Sequence, residues 1–165
     1  MLGIKIEDTK SFMSKLLIKD TFNAFRTHEV SLTTFATFNI DGKLNSDFYD
    51  SDELMALRDN DYALWDKIKP IMYELIKGNK LPHSFKIVLS MLPDNAARII
   101  HNSGVNINPE DVAGLFITIK YENETVSIVT GTSLKIFTMD KSLEHAWDST
   151  FSEFLKASGI PFINV

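Results

Sequence analysis

The chain has 165 residues, 44% hydrophobic and 24% charged, with a formal net charge of −5 and no cysteine. This is the balance of an ordinary globular protein and not of a disordered one, and a chain of this length buries roughly two-thirds of its unfolded surface without covalent staples. The absence of cysteine excludes a disulfide framework and any thiolate metal site and fits a reducing, cytoplasmic compartment, while the acidic balance argues against broad nucleic-acid affinity and still allows a local basic face.

Taken in chain order, the first residues carry no basic stretch followed by a long apolar run, so no secretory signal is expected. No window approaches the roughly 20 apolar residues of a membrane span. Leu2, Ile4 and Ile6 alternate with polar neighbours, as a half-buried strand does. Asp8 is placed to cap a helix over 8–17 whose inner face is Phe12, Met13, Leu16 and Leu17. Val30, Leu32, Ala36, Phe38 and Ile40 share one face of a second strand. Before Val30, residues Phe22, Phe25, Thr27 and Glu29 alternate poorly. Asp41-Gly42 reads as a hairpin turn, with 44–49 as the returning strand. A helix is expected from Asp61 to Lys77, with Leu64, Trp65, Ile68, Met72, Leu75 and Ile76 inward and Gly78 at its end. Pro70 lies inside it and predicts a kink or break.

The second half follows the same order. Phe85, Ile87, Leu89 and Met91 alternate along a strand, and Pro93 opens a short helix carrying Ala96, Ala97, Ile99 and Ile100, closed by Gly104. Leu115, Ile117, Ile119 and Tyr121 form the next strand. The turn Glu122-Asn123-Glu124 leads to Val126 and Ile128, and residues 134–138 make a further strand. Ser142 is placed to cap the last helix, whose stripe is Leu143, Ala146, Trp147, Thr150, Phe151, Phe154 and Leu155 and which Gly159 and Pro161 terminate.

The elements therefore read strand, helix, strands, long helix, and then the same again at an offset of about eighty residues. The expected fold is α+β: one domain holding two β-α-β-β-β-α pseudo-repeats, 1–80 and 81–165, as adjoining antiparallel sheets with helices packed on them. In the second half, Phe85-Lys86-Ile87-Val88-Leu89 precedes the Pro93 helix, Gly114-Leu115-Phe116-Ile117-Thr118-Ile119, an acidic turn, and Val126-Ser127-Ile128-Val129-Thr130-Gly131-Thr132-Ser133. That rhythm resembles one domain of the DNA sliding clamps, which is a doubled β-α-β-β-β unit. The resemblance implies a non-enzymatic, clamp-like binding module acting through protein contacts and DNA. A clamp ring is built from six such domains, and this chain supplies one. In clamps the short helices present basic side chains to the duplex, so the DNA-facing candidates are Lys10, Lys15, Lys19 and Arg98. The runs Thr130-Gly131-Thr132-Ser133-Leu134 and Asp140 through Asp148 also resemble an uncharacterised bacterial family, a domain of unknown function.

Other residues offer chemistry or contacts. His145 and Asp148 stand three apart on the last helix, where they can meet as an acid/base pair or as two ligands of a metal; a hydrogen-bonded pair beside core Trp147 is the plainer reading. His28 and Glu29 are adjacent on a strand and face opposite sides. Asp47, Asp50, Asp52 and Glu53 belong to an acidic run over 41–61 that lacks the order of a calcium loop and reads as a solvated face. No nucleophile elbow or phosphate loop appears, so no catalytic set and no cofactor are expected. The apolar tail, with Ile160, Phe162 and Ile163, is a candidate partner contact, either as an edge strand or against another protein. A small metal-dependent enzyme and a structural homo-oligomer subunit, paired through the tail and the Asp61 helix, are the alternative functions.

Overall fold

The computed structural model describes residues 1–57 and 60–165. Its elements are β1 (Gly3–Ile6), α1 (Thr9–Leu17), β2 (Arg26–Thr33), β3 (Thr37–Asp41), α2 (Ser51–Leu57), α3 (Trp65–Ile76), β4 (Ser84–Ser90), α4 (Pro93–Ser103), β5 (Val112–Glu122), β6 (Thr125–Leu134), α5 (Ser142–Ala157) and β7 (Phe162–Asn164). The strands join in one antiparallel sheet of order β3-β2-β4-β5-β6-β1-β7. The register lines up apolar side chains across it. Val30 stands opposite Ile87, Ile87 opposite Ile119, Ile119 opposite Ile128, and Ile128 opposite Ile4. All five are fully buried. The alternate positions Ser31, Lys86, Lys120 and Ser127 pair along the other face, which stays polar as one side of an antiparallel sheet commonly does.

The helices are tied to this core by specific donors. Asp8 accepts from the Ser11 amide at 3.0 Å and caps α1. Trp65, the first residue of α3, donates its indole N–H to the Leu16 carbonyl at 2.8 Å, and Trp147 of α5 donates to Phe116 at 2.9 Å. Lys15 donates to the carbonyls of Ser158 and Gly159 at 2.8 and 2.9 Å, tying α1 to the end of α5. Lys69 is buried and donates to the Lys19 carbonyl at 2.7 Å and to Asn23 Oδ1 at 2.6 Å. Both lysines thus satisfy carbonyls at or just beyond a helix C-terminus, where the backbone has no partner of its own and the helix dipole favours a cation.

The α+β class is as expected, with one continuous sheet in place of two adjoining ones. Each half keeps the order strand, helix, two strands, helix, but neither has a third strand after its hairpin among the described residues. The pairing does not repeat either: β4 joins the first strand of the other half's hairpin, whereas β1 joins the second. The first-half hairpin turns at 34–36, not at Asp41-Gly42. Gly42 has a different task. A Cβ there would lie 1.8 Å from the Thr27 carbonyl oxygen, so the chain passes β2 closely only without a side chain. Residues 44–49 form no strand: the short 3-10 turn Ser46–Phe48 leads into α2.

Further boundaries move for local reasons. The Asp61 carbonyl accepts from Leu44, so the helix expected there begins only at Trp65. It runs through Pro70 without ending, held on both sides by buried Trp65 and Met72. Residues 134–138 add no separate strand, since β6 itself extends to Leu134. At α5 the Ser142 hydroxyl does not cap; Asp140 accepts the Ser142 amide at 2.8 Å instead. Arg58 and Asp59, part of the acidic run, lie outside the described residues.

Two stability tests follow from these contacts. Lys69→Met leaves two part-buried acceptors without this donor and is expected to cost about 1 kcal/mol in urea unfolding. Gly42→Ala should cost ~1–3 kcal/mol through overpacking. Gly131→Ala, where an added Cβ meets nothing within 4 Å, should stay within about 0.5 kcal/mol of the wild type.

Candidate functional site

Helices α1 and α3 pack side by side where Trp65 reaches Leu16. Between α1, the end of α3 and the β5–β6 turn lies a groove of about 700 Å³. Met13, Leu17 and Ile18 form one wall, Tyr73 and Ile76 the other, and Leu81 and Pro82 close the end. Tyr121 of β5 lies at the bottom, stacked on Phe85 at 5.1 Å between ring centroids. Burial, with the nearby charge of Glu124, pushes the Tyr121 phenol above its ordinary pKa, so it stays neutral. The volume and the apolar lining are those of a binding site.

Two apolar side chains here are largely open to solvent: Ile18 is 58% exposed and Leu81 67%. The rim is charged. Lys10 and Lys77 line the groove with Glu124. An adjoining depression of about 770 Å³ shares Ile76, Lys77, Leu81 and Pro82 and adds Lys80, His83 and Glu122. Lys77 is held by Glu74 at 2.6 Å; among the described residues neither Lys10 nor Lys80 enters an ion pair.

The residues singled out in the sequence are scattered. Lys10, Lys15 and Lys19 share a shallow surface depression beside α1, but Lys15 is engaged by the end of α5. Arg98 sits on α4, which packs on α5. Ile160 is buried in the core, Phe162 packs against it, and Ile163 is half-exposed on β7, where it pairs with Lys5 of β1. The tail therefore docks as an edge strand of its own sheet.

His145 and Asp148 do not cooperate. Asp148 accepts the Thr130 hydroxyl, whereas His145 lies beside Asp140 and Ser142 near the end of α4. Among the described residues no three His, Cys, Asp or Glu side chains are placed to hold a metal ion. The acids of 47–53 have a local duty: Asp50 accepts the Glu53 amide at 2.8 Å and Glu53 accepts that of Asp50 at 3.3 Å, the reciprocal pair that opens a helix.

One polar cluster escaped the sequence reading. The register between β2 and β4 slips between Thr27 and Glu29, leaving His28 as the extra residue of a bulge. His28 Nε2 lies 2.7 Å from the Ser90 hydroxyl, to which Arg26 Nε donates at 3.3 Å. Tyr62 stacks on the imidazole at 3.9 Å, with Arg26 over the far ring. Glu29 reaches Lys86 at 3.5 Å instead. Burial, and then the charge of Arg26, pushes the His28 pKa down to about 4. The neutral imidazole shares a hydrogen bond with the Ser90 hydroxyl whose direction follows its tautomer. The pair has the form of a nucleophile and its base, but Ser90 is fully buried, so no substrate reaches it. Only a spatial neighbour from another strand marks this cluster, which is why strand alternation missed it. The groove left a fainter trace: apolar residues spread broadly around α3.

His28 has a pH signature. Its pKa is lower folded than unfolded, so the unfolded chain binds the extra proton first, and stability falls as pH drops from about 6.5 towards about 4. His28→Gln lacks this titration. The stability advantage of the wild type over His28→Gln should shrink over that range in urea melts, and a constant gap would contradict the assignment.

Among the described residues no helix is long and apolar enough to cross a membrane. No curated protein and no solved structure matches the chain, and the sliding-clamp resemblance is not confirmed. The comparison with family models gives a match over residues 15–163, to the model described as "Family of unknown function (DUF5721)", and the chain belongs to that family.

Proposed function

We infer that this protein is a non-enzymatic binding module that acts through protein contacts, with the groove between α1 and α3 as its docking site. The observation that carries this reading is the groove itself: an apolar trough between two helices anchored by Trp65 and Lys69, with exposed Ile18 and Leu81 on its lips. A helix or extended segment that lays apolar side chains into such a trough releases water from both surfaces. Lys10 and Lys80, free of ion pairs among the described residues, favour a segment that carries carboxylates beside its apolar side chains. The lack of cysteine supports a reducing, cytoplasmic setting for it.

The DNA version has less support. Of its four candidate cations, Lys15 is engaged within the fold and Arg98 stands on another helix, and the chain carries a net charge of −5. An enzymatic version would need a reactive group open to substrate, and the closest arrangement, Ser90 with His28, is sealed.

The test uses a fluorescent amphipathic peptide rich in Asp and Leu. Its anisotropy should rise on adding the protein. Ile18→Glu and Leu81→Glu change exposed side chains and should weaken binding by about tenfold or more, while Arg98→Glu leaves it unchanged. Equal binding by all four proteins would remove the groove from the account. A mobility shift of duplex DNA at low salt, lost on changing Lys10 and Lys19 to Glu, would favour the DNA version instead.

A further inference from the structure

The chain itself carries a segment of the chemistry that the groove favours. Helix α2 buries none of its residues, and Met55 and the preceding Phe48 are 77% and 79% exposed. Leu54 is exposed beside them. Interleaved with these are Asp47, Asp50, Asp52 and Glu53, none of which enters an ion pair among the described residues. A short helix that presents large apolar side chains to water gains nothing from packing on its own fold. It has the acidic, amphipathic character complementary to a trough rimmed by Lys10, Lys77 and Lys80. The carboxylates at the trough, Glu122 and Glu124, belong to the β5–β6 turn on one edge, which leaves the lysines of α1 and of the stretch after α3 to meet the incoming acids.

The segment does not line its own groove. The chain leaves β3 at Asp41, opposite Glu29, and the Gly42 amide donates to the carbonyl of His28. The groove and the depression that adjoins it lie at the other end of the sheet, where β4 begins at Ser84 and β5 ends at Glu122. Through Glu29, Asp41 stands level with Val88, four residues along β4 from Ser84, roughly 13 Å at about 3.3 Å per residue. The acidic segment therefore leaves the sheet away from the groove end, returns where the Leu44 amide meets the Asp61 carbonyl, and lines neither depression.

We propose that the occupant of the groove is the acidic segment 46–57 of a second copy of this chain, each copy lending its segment to the other in a two-fold dimer. The proposal rests on the groove being a docking site. Reciprocal exchange uses the groove and the segment of each chain at once and closes, whereas one-way insertion would leave a free groove and a free segment at the ends of a growing polymer. Apolar contact by Phe48, Leu54 and Met55 supplies the attraction, and the charges set the partner and orientation.

Light scattering on the full chain tests this by mass. The wild type is expected to reach twice its monomer mass, with association weakening as salt is raised. Met55→Asp is an exposed substitution and should raise the dimer dissociation constant by about tenfold or more. The decisive arm reverses charges. The pair Lys10→Glu and Lys80→Glu should be monomeric, as should the pair Asp47→Lys and Asp52→Lys, which spares the Asp50–Glu53 cap. Mixed, these two variants should form a heterodimer, a recovery that misfolding cannot imitate. A wild type that stays monomeric at every soluble concentration overturns the second copy as partner. If the Asp- and Leu-rich peptide still binds in that case, the groove reading stands without self-association; if it does not, both fall.

Discussion

The fold depends on one row of side chains. Val30, Ile87, Ile119, Ile128 and Ile4 follow one another across five neighbouring strands, and none is open to solvent. All are β-branched, stiff at χ1 and suited to a pleated surface. Because side chains alternate with period two, slipping any one strand by a single residue would turn its share of the row outward and bring Ser31, Lys86, Lys120 or Ser127 in. The row therefore locks five registers at once. It also marks the side of the sheet that is fully buried.

Covering the row leaves the helices little freedom. α1 packs beside α3, and α4 beside α5. A tryptophan N–H must find a carbonyl once buried: Trp65 pins α3 to α1 through Leu16, and Trp147 pins α5 to the sheet through Phe116 of β5. Lys15 then links the two pairs by reaching from α1 to the last carbonyls of α5. Lys69 holds the turn after α1 against α3. These donors hold α1 against α3. The groove is lined by both helices, so its walls are fixed by the same contacts that stabilise the fold.

The parts of this arrangement that were legible in the sequence are those governed by neighbours along the chain. The alternation of Phe85, Ile87 and Leu89, the Asp8 cap, Pro93 at the first turn of α4 and Gly104 in the left-handed conformation at φ 70° are all local in cause. What was not legible depends on residues distant in sequence. Gly42 looks like a turn glycine beside Asp41, yet it is required by the Thr27 backbone passing behind it. His28 looks like an ordinary strand residue until the bulge sets it on Ser90, sixty-two positions on. The doubling of elements was visible as a pattern, but pairing is chosen by the whole sheet, and the sheet joins β4 and β1 to different strands of the opposing hairpins. The groove could not be read either, because its lining comes from α1, α3, the stretch before β4 and β5 together.

The distribution of polar groups bears on function more than any motif does. The side chains best suited to chemistry are already occupied in the fold. His28 is held neutral between Ser90 and Tyr62, Asp148 accepts from Thr130, and Asp50 and Glu53 cap a helix. Lys15 and Lys69 are bound to carbonyls. What is left without a partner among the described residues is of another kind: the apolar lips Ile18 and Leu81, the lysines Lys10 and Lys80 beside them, and Phe48 and Met55 among carboxylates elsewhere. That exposed apolar and charged surface is what supports the proposal of association. Large apolar side chains exposed at fixed positions on a folded surface carry a solvation cost that only a partner removes.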